Sequence, residues 1–260
     1  MTPEIAAFAA SLADAARPLA LRHFRTPLRV ETKADASPVT VADRAIESAM
    51  RASIAARYPD HAIFGEEEGR TAARAPHTWV IDPIDGTKSF ISGMPTFGTL
   101  IAFCVDDVPQ VGVIDMPALD ERWTASPGEP ARHNGAPCRT RLCDALADAV
   151  LYTTSPDAFA PDEWALFDAL SRDAALRRFG GDCYSYGLLA SGLIDAVVEA
   201  GLHPYDIMAM VPVIEAAGGI ITDWTGAPLT TESGGRVVAA GSRALHEQLL
   251  ARLDNEAVPS

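Results

Sequence analysis

The first quarter of the chain has the hydrophobic spacing of helices. Apolar side chains at positions 5, 8, 12 and 19 fall close to one helical face and follow the helix-start sequence Thr2-Pro3-Glu4. This pattern predicts an N-terminal helix that packs on another layer of the fold. A second helix is predicted to start at the N-cap Thr40 and to run towards residue 58. Between the two helices, residues 28–32 fit a short strand and residues 33–38 fit a loop.

The pattern then changes to the spacing of strands. Asp106-Asp107 is typical of a hairpin turn between two of them. The predicted strands cover residues 61–64, 78–82, 97–105, 108–114 and 122–125. We therefore expect two helices on a largely antiparallel sheet in this part of the chain.

From about residue 145 short strands and helices alternate, which favours an α/β layer. The predicted strands cover residues 150–153, 176–179, 194–198, 219–222 and 236–239. The predicted helices cover residues 162–171, 184–191, 205–217 and 242–253. We place a boundary within residues 139–147 and predict an N-terminal α+β subdomain, residues 1–143, and a C-terminal α/β subdomain, residues 144–260.

Composition and charge narrow the function classes. With 48% hydrophobic and 22% charged residues among 260, the chain is typical of globular rather than disordered or fibrous proteins. Its 35 acidic and 21 basic residues give a net charge of -14, which disfavours nucleic acid and anionic membranes as partners. No apolar run approaches the roughly 20 residues of a membrane span, and the N-terminus lacks a basic leader. We expect a cytoplasmic protein with its four cysteines reduced.

Residues 79–89, with the sequence WVIDPIDGTKS, concentrate the candidate chemistry. An apolar strand leads into Asp82 and Asp85, which are close enough together to reach one or two cations. Gly86 permits a turn or a close backbone approach, and Thr87 can begin a helix whose free N–H groups hold an anion. One interpretation is a metal and phosphate site in one turn. The other is a polar turn with Thr87 as N-cap, and spacing alone does not separate the two.

Other carboxylates follow other predicted elements. Glu66 and its two acidic neighbours stand at a strand end, where three charges need solvent or a cation. Asp43 also fits a capping box with Thr40, and Asp206 opens a helix, where an acid is expected beside the dipole. Oxygen ligands without a paired His or Cys suit Mg²⁺, with Mn²⁺ as a substitute, rather than zinc. The sequence contains no G-x-S-x-G, P-loop or G-x-G-x-x-G motif.

Three of these segments together resemble the inositol monophosphatase superfamily of Mg²⁺-dependent, lithium-sensitive phosphomonoesterases. The segments are Gly65-Glu66-Glu67, the run from Asp82 to Thr87, and Tyr205-Asp206 followed by Glu215-Ala216-Ala217-Gly218-Gly219. Their order and spacing match the family over about residues 33–219. The resemblance implies a layered αβαβα sandwich and, as is usual in the family, a homodimer that acts on a small phosphomonoester.

The resemblance also implies a role for each matching residue. The Mg²⁺ ligands would be Glu66, Asp82, the carbonyl of Ile84, Asp85 and Asp206. Asp43 and Thr87 would orient and activate the attacking water, and Glu66 would complete the catalytic set. The substrate would meet Asp206, the backbone N–H groups of Gly86 and Thr87, and Lys33 on a loop expected to close over the site. The implied mechanism is metal-assisted in-line hydrolysis without a phospho-enzyme.

Two further positions resemble the histidinol-phosphate phosphatase branch. Inositol-preferring members tend to carry a small residue in place of Asp182, and commonly carry Trp where this chain has Tyr205. Asp182 and Glu199 would then face the ammonium and imidazole groups of L-histidinol phosphate, an intermediate of histidine biosynthesis. Alternatively, Asp182 only caps the helix that it precedes. An inositol-1-phosphate or broad sugar-phosphate phosphatase and a non-catalytic protein-binding role stay open.

Overall fold

The computed structural model of the chain describes residues 2–27, 30–32, 38–72 and 75–253. The helices in these ranges are α1 (Thr2–His23), α2 (Val41–Arg57), α3 (Thr87–Ser92), α4 (Pro161–Arg172), α5 (Tyr184–Ala190), α6 (Pro204–Ile207), α7 (Met210–Ala216) and α8 (Arg243–Leu253). None of these helices is long and apolar enough to cross a bilayer.

The strands of the described ranges form two large sheets and one small pair. The small pair is β1 (Val30–Thr32) and β2 (Pro38–Thr40). The first large sheet contains β3 (Ala62–Gly65), β4 (Gly69–Arg70), β5 (His77–Asp85), β6 (Gly98–Val105), β7 (Val108–Met116), β8 (Glu121–Ala125), β9 (Arg132–His133) and β10 (Ala136–Pro137). The second contains β11 (Val150–Thr153), β12 (Leu176–Phe179), β13 (Ala196–Glu199), β14 (Ile220–Thr222) and β15 (Val237–Ala240).

The first sheet has the order β10-β9-β8-β7-β6-β5-β3-β4, and the second has the order β12-β11-β13-β15-β14. In the first sheet, β3 and β5 run parallel and the other neighbouring strands described are antiparallel. Asp106 and Asp107 have φ values of 47° and 67° between β6 and β7, as a tight hairpin requires. The expectation of two helices on a largely antiparallel sheet is confirmed.

Alternate residues of each strand pack into different layers. In β5, Trp79 lies in a hydrophobic cluster with α1 and α2, whereas Val80 lies in a second cluster with α5 and α7. In β13, Val197 joins that second cluster from the other side, and Val198 joins a third cluster with α4 and α8. Because side chains alternate along a strand, both sheets are covered on both faces. The layers follow the order helix, sheet, helix, sheet, helix, so the expected αβαβα sandwich is confirmed.

The prediction of one continuous helix over residues 205–217 is wrong. The structure has two short helices, α6 and α7, with Met208 and Ala209 in a turn between them. Pro212 explains the break, because its ring has no N–H to donate and clashes with the carbonyl four residues earlier in a regular helix. The break also brings the backbone close to β7, where a Cβ on Gly112 would lie 2.2 Å from the Ala209 carbonyl oxygen.

The expected boundary near residue 143 lies in the segment between β10 and β11, which connects the two large sheets. The second hydrophobic cluster contains residues from both sides of this boundary, such as Trp123 and Tyr186. The Thr140 N–H also donates to the carbonyl of Ala217 at 3.0 Å. The division into two subdomains therefore stays a prediction.

A buried ion cluster joins the first helix to the first sheet. Asp115 of β7 is 0% exposed and accepts hydrogen bonds from two arginines. Arg17 of α1 donates from Nη2 to Oδ1 at 2.7 Å and from Nε to Oδ2 at 3.2 Å, and Arg122 of β8 donates from Nε to Oδ1 at 2.6 Å. The Asp115 carboxylate thus links α1, β7 and β8, and it belongs to none of the acidic motifs described above.

Asp115→Asn is expected to destabilise the protein by about 2 kcal/mol, because the hydrogen bonds lose their charged acceptor and an NH₂ group in place of Oδ2 would face the Arg17 Nε–H. Thermal unfolding followed by circular dichroism should show a melting temperature lower by roughly 5 °C. An unchanged melting temperature would show that the cluster contributes nothing to stability.

Candidate active site

Three carboxylates meet at the carboxyl end of β5. Asp82 and Asp85 belong to β5 and Asp206 to α6, and one oxygen of each lies within 4.8 Å of the others. Residues three apart in a regular strand face opposite sides, but between Asp82 and Asp85 the pairing with β6 contains one extra residue. This bulge allows both aspartates to face Asp206.

Each of the three carboxylates has one oxygen held by a backbone N–H. Ile84 donates to Asp82 Oδ1 at 2.9 Å, Cys183 donates to Asp85 Oδ2 at 2.7 Å, and His203 donates to Asp206 Oδ2 at 2.7 Å. Each bond fixes one oxygen and thereby sets the direction of the other oxygen of the same carboxylate. Such hydrogen bonds orient the ligands of metal sites before the ion binds.

Glu66 reaches this cluster from the neighbouring strand. β3 runs parallel to β5 with Gly65 opposite Ile81, so the residues that follow, Glu66 and Asp82, emerge at the same edge of the sheet. Their side chains hydrogen-bond to one another. The structure therefore brings the predicted acidic ligands together at the end of the two parallel strands.

Burial and crowding change the protonation of these acids. Burial, followed by the charge of Glu66, raises the pKa of Asp82 well above its usual value. Burial, followed by the charge of Asp182, raises the pKa of Asp85 to about 7. Burial and the charge of Asp85 likewise raise the pKa of Asp206. Without a cation, the ionised forms of these groups repel one another in a site with little water.

Asp43 has one oxygen in the helix cap and one oxygen without a donor in the described residues. Its Oδ2 accepts the Thr40 N–H at 2.8 Å and the Thr40 hydroxyl, so the capping box at the start of α2 is confirmed. Its Oδ1 is buried and has no hydrogen-bond donor in the described part of the chain. Burial raises the pKa of Asp43 in spite of the Thr40 bonds. Buried acceptors are rarely left unpaired, so Oδ1 is a position for a bound water.

The turn after Asp85 presents backbone donors. Gly86 has a φ of 78°, in the left-handed region, and α3 begins at Thr87. Neither the Gly86 N–H nor the Thr87 N–H has an acceptor within the described ranges. The Thr87 hydroxyl donates to the Ile84 carbonyl at 3.1 Å, which brings the last predicted oxygen ligand to the same turn. The arrangement offers N–H groups to an anion beside carboxylates suited to cations.

Asp182 lies against this turn and does not cap α5. The N-cap of α5 is Cys183, and no side chain caps it, so the capping alternative for Asp182 is wrong. Instead, Asp182 Oδ2 accepts the hydroxyls of Ser89 at 2.6 Å and Thr96 at 2.9 Å. A Cβ on Gly86 would lie 2.8 Å from Asp182 Cγ, so Gly86 makes room for this carboxyl group.

Glu199, the other predicted substrate residue, is 4% exposed. Its Oε1 accepts the Thr154 N–H at 3.0 Å and the Thr154 hydroxyl, and its Oε2 accepts the Tyr186 hydroxyl at 3.0 Å. Burial raises the pKa of Glu199 and that of Asp182. The sequence patterns contained no indication of the Thr154, Ser89 or Thr96 contacts, because each joins segments far apart in the chain.

A cavity of about 100 Å³ opens beside the three aspartates. Four carboxylates contribute to its walls: Asp85, Asp182, Glu199 and Asp206. The lining also includes the hydroxyl residues 153–155 and the apolar side chains of Phe159, Leu202 and Met210. Two predicted metal ligands, Asp85 and Asp206, and the two predicted substrate carboxylates, Asp182 and Glu199, therefore line one small, acidic space. Lys33, which was expected to close over it, lies outside the described residues.

The donor set fits a hard divalent cation. Within the described ranges, Asp82, Asp85 and Asp206 pair with no lysine or arginine, although Asp82 is buried and the other two are partly buried. Carboxylate and carbonyl oxygens are the ligands that Mg²⁺ prefers, and the unpaired Asp43 Oδ1 suits a water beside such an ion. The residues present therefore fit a Mg²⁺ ion.

Comparison with known proteins agrees with this geometry. Residues 1–257 match the model of the inositol monophosphatase family. A chloroplastic bifunctional phosphatase, IMPL2, from Arabidopsis thaliana is 45% identical over 258 residues, covering 96% of this chain and 75% of the relative. A histidinol-phosphatase from Chlorobaculum parvum is 38% identical over 257 residues, 98% of each chain.

The solved structure of an inositol monophosphatase from Zymomonas mobilis has a TM-score of 0.89 at 44% identity, and covers 97% of this chain and 98% of that one. Sequence and fold agree over nearly the whole length. The chain belongs to the inositol monophosphatase family and is a phosphoric monoester hydrolase.

Proposed function

We propose that this protein is a Mg²⁺-dependent phosphatase that hydrolyses L-histidinol phosphate to L-histidinol and phosphate. The observation that carries the choice of substrate is the acidic cavity beside the aspartates, which is lined by Asp182, Glu199 and the hydroxyl residues 153–155. A relative named histidinol-phosphatase, similar over 98% of both chains, supports the same choice.

The cation would be held by Glu66, Asp82, the Ile84 carbonyl, Asp85 and Asp206. When bound, Mg²⁺, or Mn²⁺ as a substitute, supplies the positive charge that activates water and neutralises the phosphate and leaving oxygens. The three backbone N–H groups that hold the aspartates fix the direction of their remaining oxygens. Little reorganisation is then needed when the substrate arrives.

The chain's own groups position the nucleophile and the phosphate. Asp43 Oδ1, buried and without a donor in the described residues, can accept a proton from the attacking water. The Thr87 hydroxyl donates to Ile84, so its own lone pairs can accept a hydrogen bond from the same water. The N–H groups of Gly86 and Thr87 donate to the phosphate oxygens. Asp206 stands between the phosphate turn and the cavity, where the leaving alcohol would lie.

The cavity suits the cationic end of histidinol. A primary ammonium group has three donors, and Asp182, Glu199 and the nearby hydroxyl groups are acceptors. Asp182 Oδ2 already accepts two hydroxyls, and Oδ1 has no donor in the described ranges. Phe159 and Leu202 give the same cavity an apolar side for a ring.

Inositol 1-phosphate is the second candidate substrate. The solved neighbour named inositol monophosphatase shares 44% of its residues with this chain. Glu199 and the hydroxyls could hold the alcohol groups of a cyclitol, but a cyclitol would offer the charge of Asp182 no positive group. The homodimer, the sensitivity to lithium, the cytoplasmic location and the absence of a nucleic-acid partner stay predictions.

Phosphate release should distinguish the substrates. Purified protein with Mg²⁺ is expected to favour L-histidinol phosphate over inositol 1-phosphate at equal concentrations, and excess chelator should abolish both activities. Equal or reversed preference would move the assignment to the inositol phosphates, and no turnover of either would favour another phosphomonoester or a binding role.

Asp182→Asn should separate the charge of Asp182 from its structural bonds. The amide oxygen can still accept from Ser89 and Thr96, so the local fold is kept. Loss of one charge-assisted hydrogen bond should lower kcat/KM for L-histidinol phosphate roughly tenfold and change that for inositol 1-phosphate much less. Ser89→Ala is the matched control, since it removes a partner and keeps the charge. Equal effects of the two variants on both substrates would show that Asp182 has only a structural role.

The stability of the metal-free protein should fall as pH rises. The pKa of Asp85 is raised to about 7 in the folded chain, so between its ordinary value and about 7 the folded state binds a proton that the unfolded state has lost. Protonation therefore favours folding at the acidic end of this window. The melting temperature in chelator should be higher at about pH 5.5 than at about pH 7.5, and Mg²⁺ should stabilise more at the higher pH. In Asp85→Asn the slope should be smaller; an identical slope in both proteins would contradict the assignment.

A further inference from the structure

A fully buried carboxylate lies beneath the acidic turn that carries Glu66. Glu47 of α2 is 0% exposed. Its Oε2 accepts the Glu67 N–H at 2.8 Å, and its Oε1 accepts the Glu68 N–H at 2.9 Å and the Arg51 Nε at 2.8 Å. Three donors from two segments therefore converge on one side chain.

The backbone around Glu47 is shaped to admit it. A Cβ on Gly65 would lie 2.3 Å from Glu47 Oε1, so only glycine leaves room for the carboxylate at the end of β3. Arg51 donates both to Glu47 and to the carbonyl of Gly69, which holds the far end of the same turn. Glycine is thus required at the first position of the Gly65-Glu66-Glu67 motif because the side chain of Glu47, which lies outside the motif, occupies the space that a Cβ would fill.

Burying a carboxylate at position 47 costs free energy unless its hydrogen bonds offset that cost. The side chain is buried beside a turn with three further acids in a chain with a net charge of -14. Arg51, 11% exposed at its side chain, offsets part of that repulsion. A glutamine would have one accepting oxygen, and its NH₂ group would face an N–H donor. Only an ionised carboxylate accepts from all three donors.

The same helix also carries Asp43, four residues before Glu47, so both side chains lie on one helical face. Asp43 presents the unpaired Oδ1, and Glu47 anchors the turn that begins with Glu66. We propose that Glu47 is a positioning residue that fixes the Glu66 carboxylate relative to Asp43 and Asp82, so that the site binds its divalent cation in a preformed geometry. The inference depends on the proposed metal-dependent function and extends it to a residue that touches neither metal nor substrate.

The test measures the affinity for a divalent cation and the hydrogen-exchange protection of the turn at residues 66–68. Glu47→Gln in the full-length, metal-free protein is titrated with Mn²⁺ and the free ion is followed by electron paramagnetic resonance. The dissociation constant should rise about tenfold, as is typical when a group that orients a metal ligand is lost. The amides of Glu67 and Glu68 should exchange hydrogen faster than in the wild type. In kinetics, the Mg²⁺ concentration for half-maximal activity should rise, while KM for a phosphomonoester at saturating Mg²⁺ changes little.

Asp115→Asn is the matched control, since it also removes a buried carboxylate that pairs with arginine but lies in the ion cluster of α1, β7 and β8. It should lower the melting temperature and leave the Mn²⁺ dissociation constant unchanged. Gly65→Ala is a second route, because the added methyl displaces the Glu47 carboxylate without altering its charge, and it should weaken Mn²⁺ binding as well. If Glu47→Gln does not fold, the Mn²⁺ dissociation constant of Gly65→Ala tests the positioning role instead.

The outcomes separate the two proposals. If the folded Glu47 and Gly65 variants bind Mn²⁺ as tightly as the wild type, the positioning role is overturned even though phosphatase activity stands. If wild type hydrolyses no phosphomonoester but the variants weaken Mn²⁺ binding, the positioning role holds and the proposed reaction fails. A wild type that binds no Mn²⁺ would overturn both.

Discussion

Repulsion among buried carboxylates is the constraint on which the site depends. Asp82, Asp85 and Asp206 meet in a space with little water, and Glu66 and Asp182 add charge at the edges. The fold holds them by directing a backbone N–H from a different segment at each aspartate. Partial positive charge from the backbone is fixed in place and cannot compete for the opposite oxygens as a lysine or arginine would. The three aspartates are thus held together without a neutralising side chain from the described residues, so a bound cation can neutralise them.

Two of these donors are local, since Ile84 is two residues from Asp82 and His203 three residues from Asp206, whereas the layered architecture brings Cys183 to Asp85 from a distant segment. The middle layer of helices lies between the two sheets, so α5 and α6 can point their first residues at the end of β5. Cys183 and His203, which donate to Asp85 and Asp206, are the residues just before these two helices. The break between α6 and α7 belongs to the same arrangement, because it ends α6 one residue after Asp206 and lets α7 pack on β7.

Local signals in the sequence were sufficient for most elements and for the acids of the site. The ends of β6 and β7 agree with the predicted strands to within two residues because alternation is visible over five or more positions, whereas β5 extends three residues beyond its predicted end, through the bulge. The strands β4, β9 and β10 have two residues each and show no period. The continuous helix at residues 205–217 was wrong because apolar spacing was given more weight than Pro212. Contacts between distant segments, such as Asp182 with Ser89 or Glu47 with the turn at residue 67, have no local pattern. For the contact of Glu47 with the turn at residue 67, the sequence shows only that Asp43 and Glu47 are four residues apart and so lie on one helical face.

Asp182 connects the turn after β5 to the acidic cavity. It packs on Gly86, whose N–H is proposed to hold the phosphate, and it accepts hydroxyls from Ser89 in α3 and from Thr96. The next residue, Cys183, donates its N–H to Asp85. A substrate cation that attracts Asp182 therefore acts on the same short segment that orients a metal ligand and the phosphate turn. Recognition of the leaving group and alignment of the phosphate are then coupled through one rigid contact, so a poorly matched alcohol would lose rate as well as affinity.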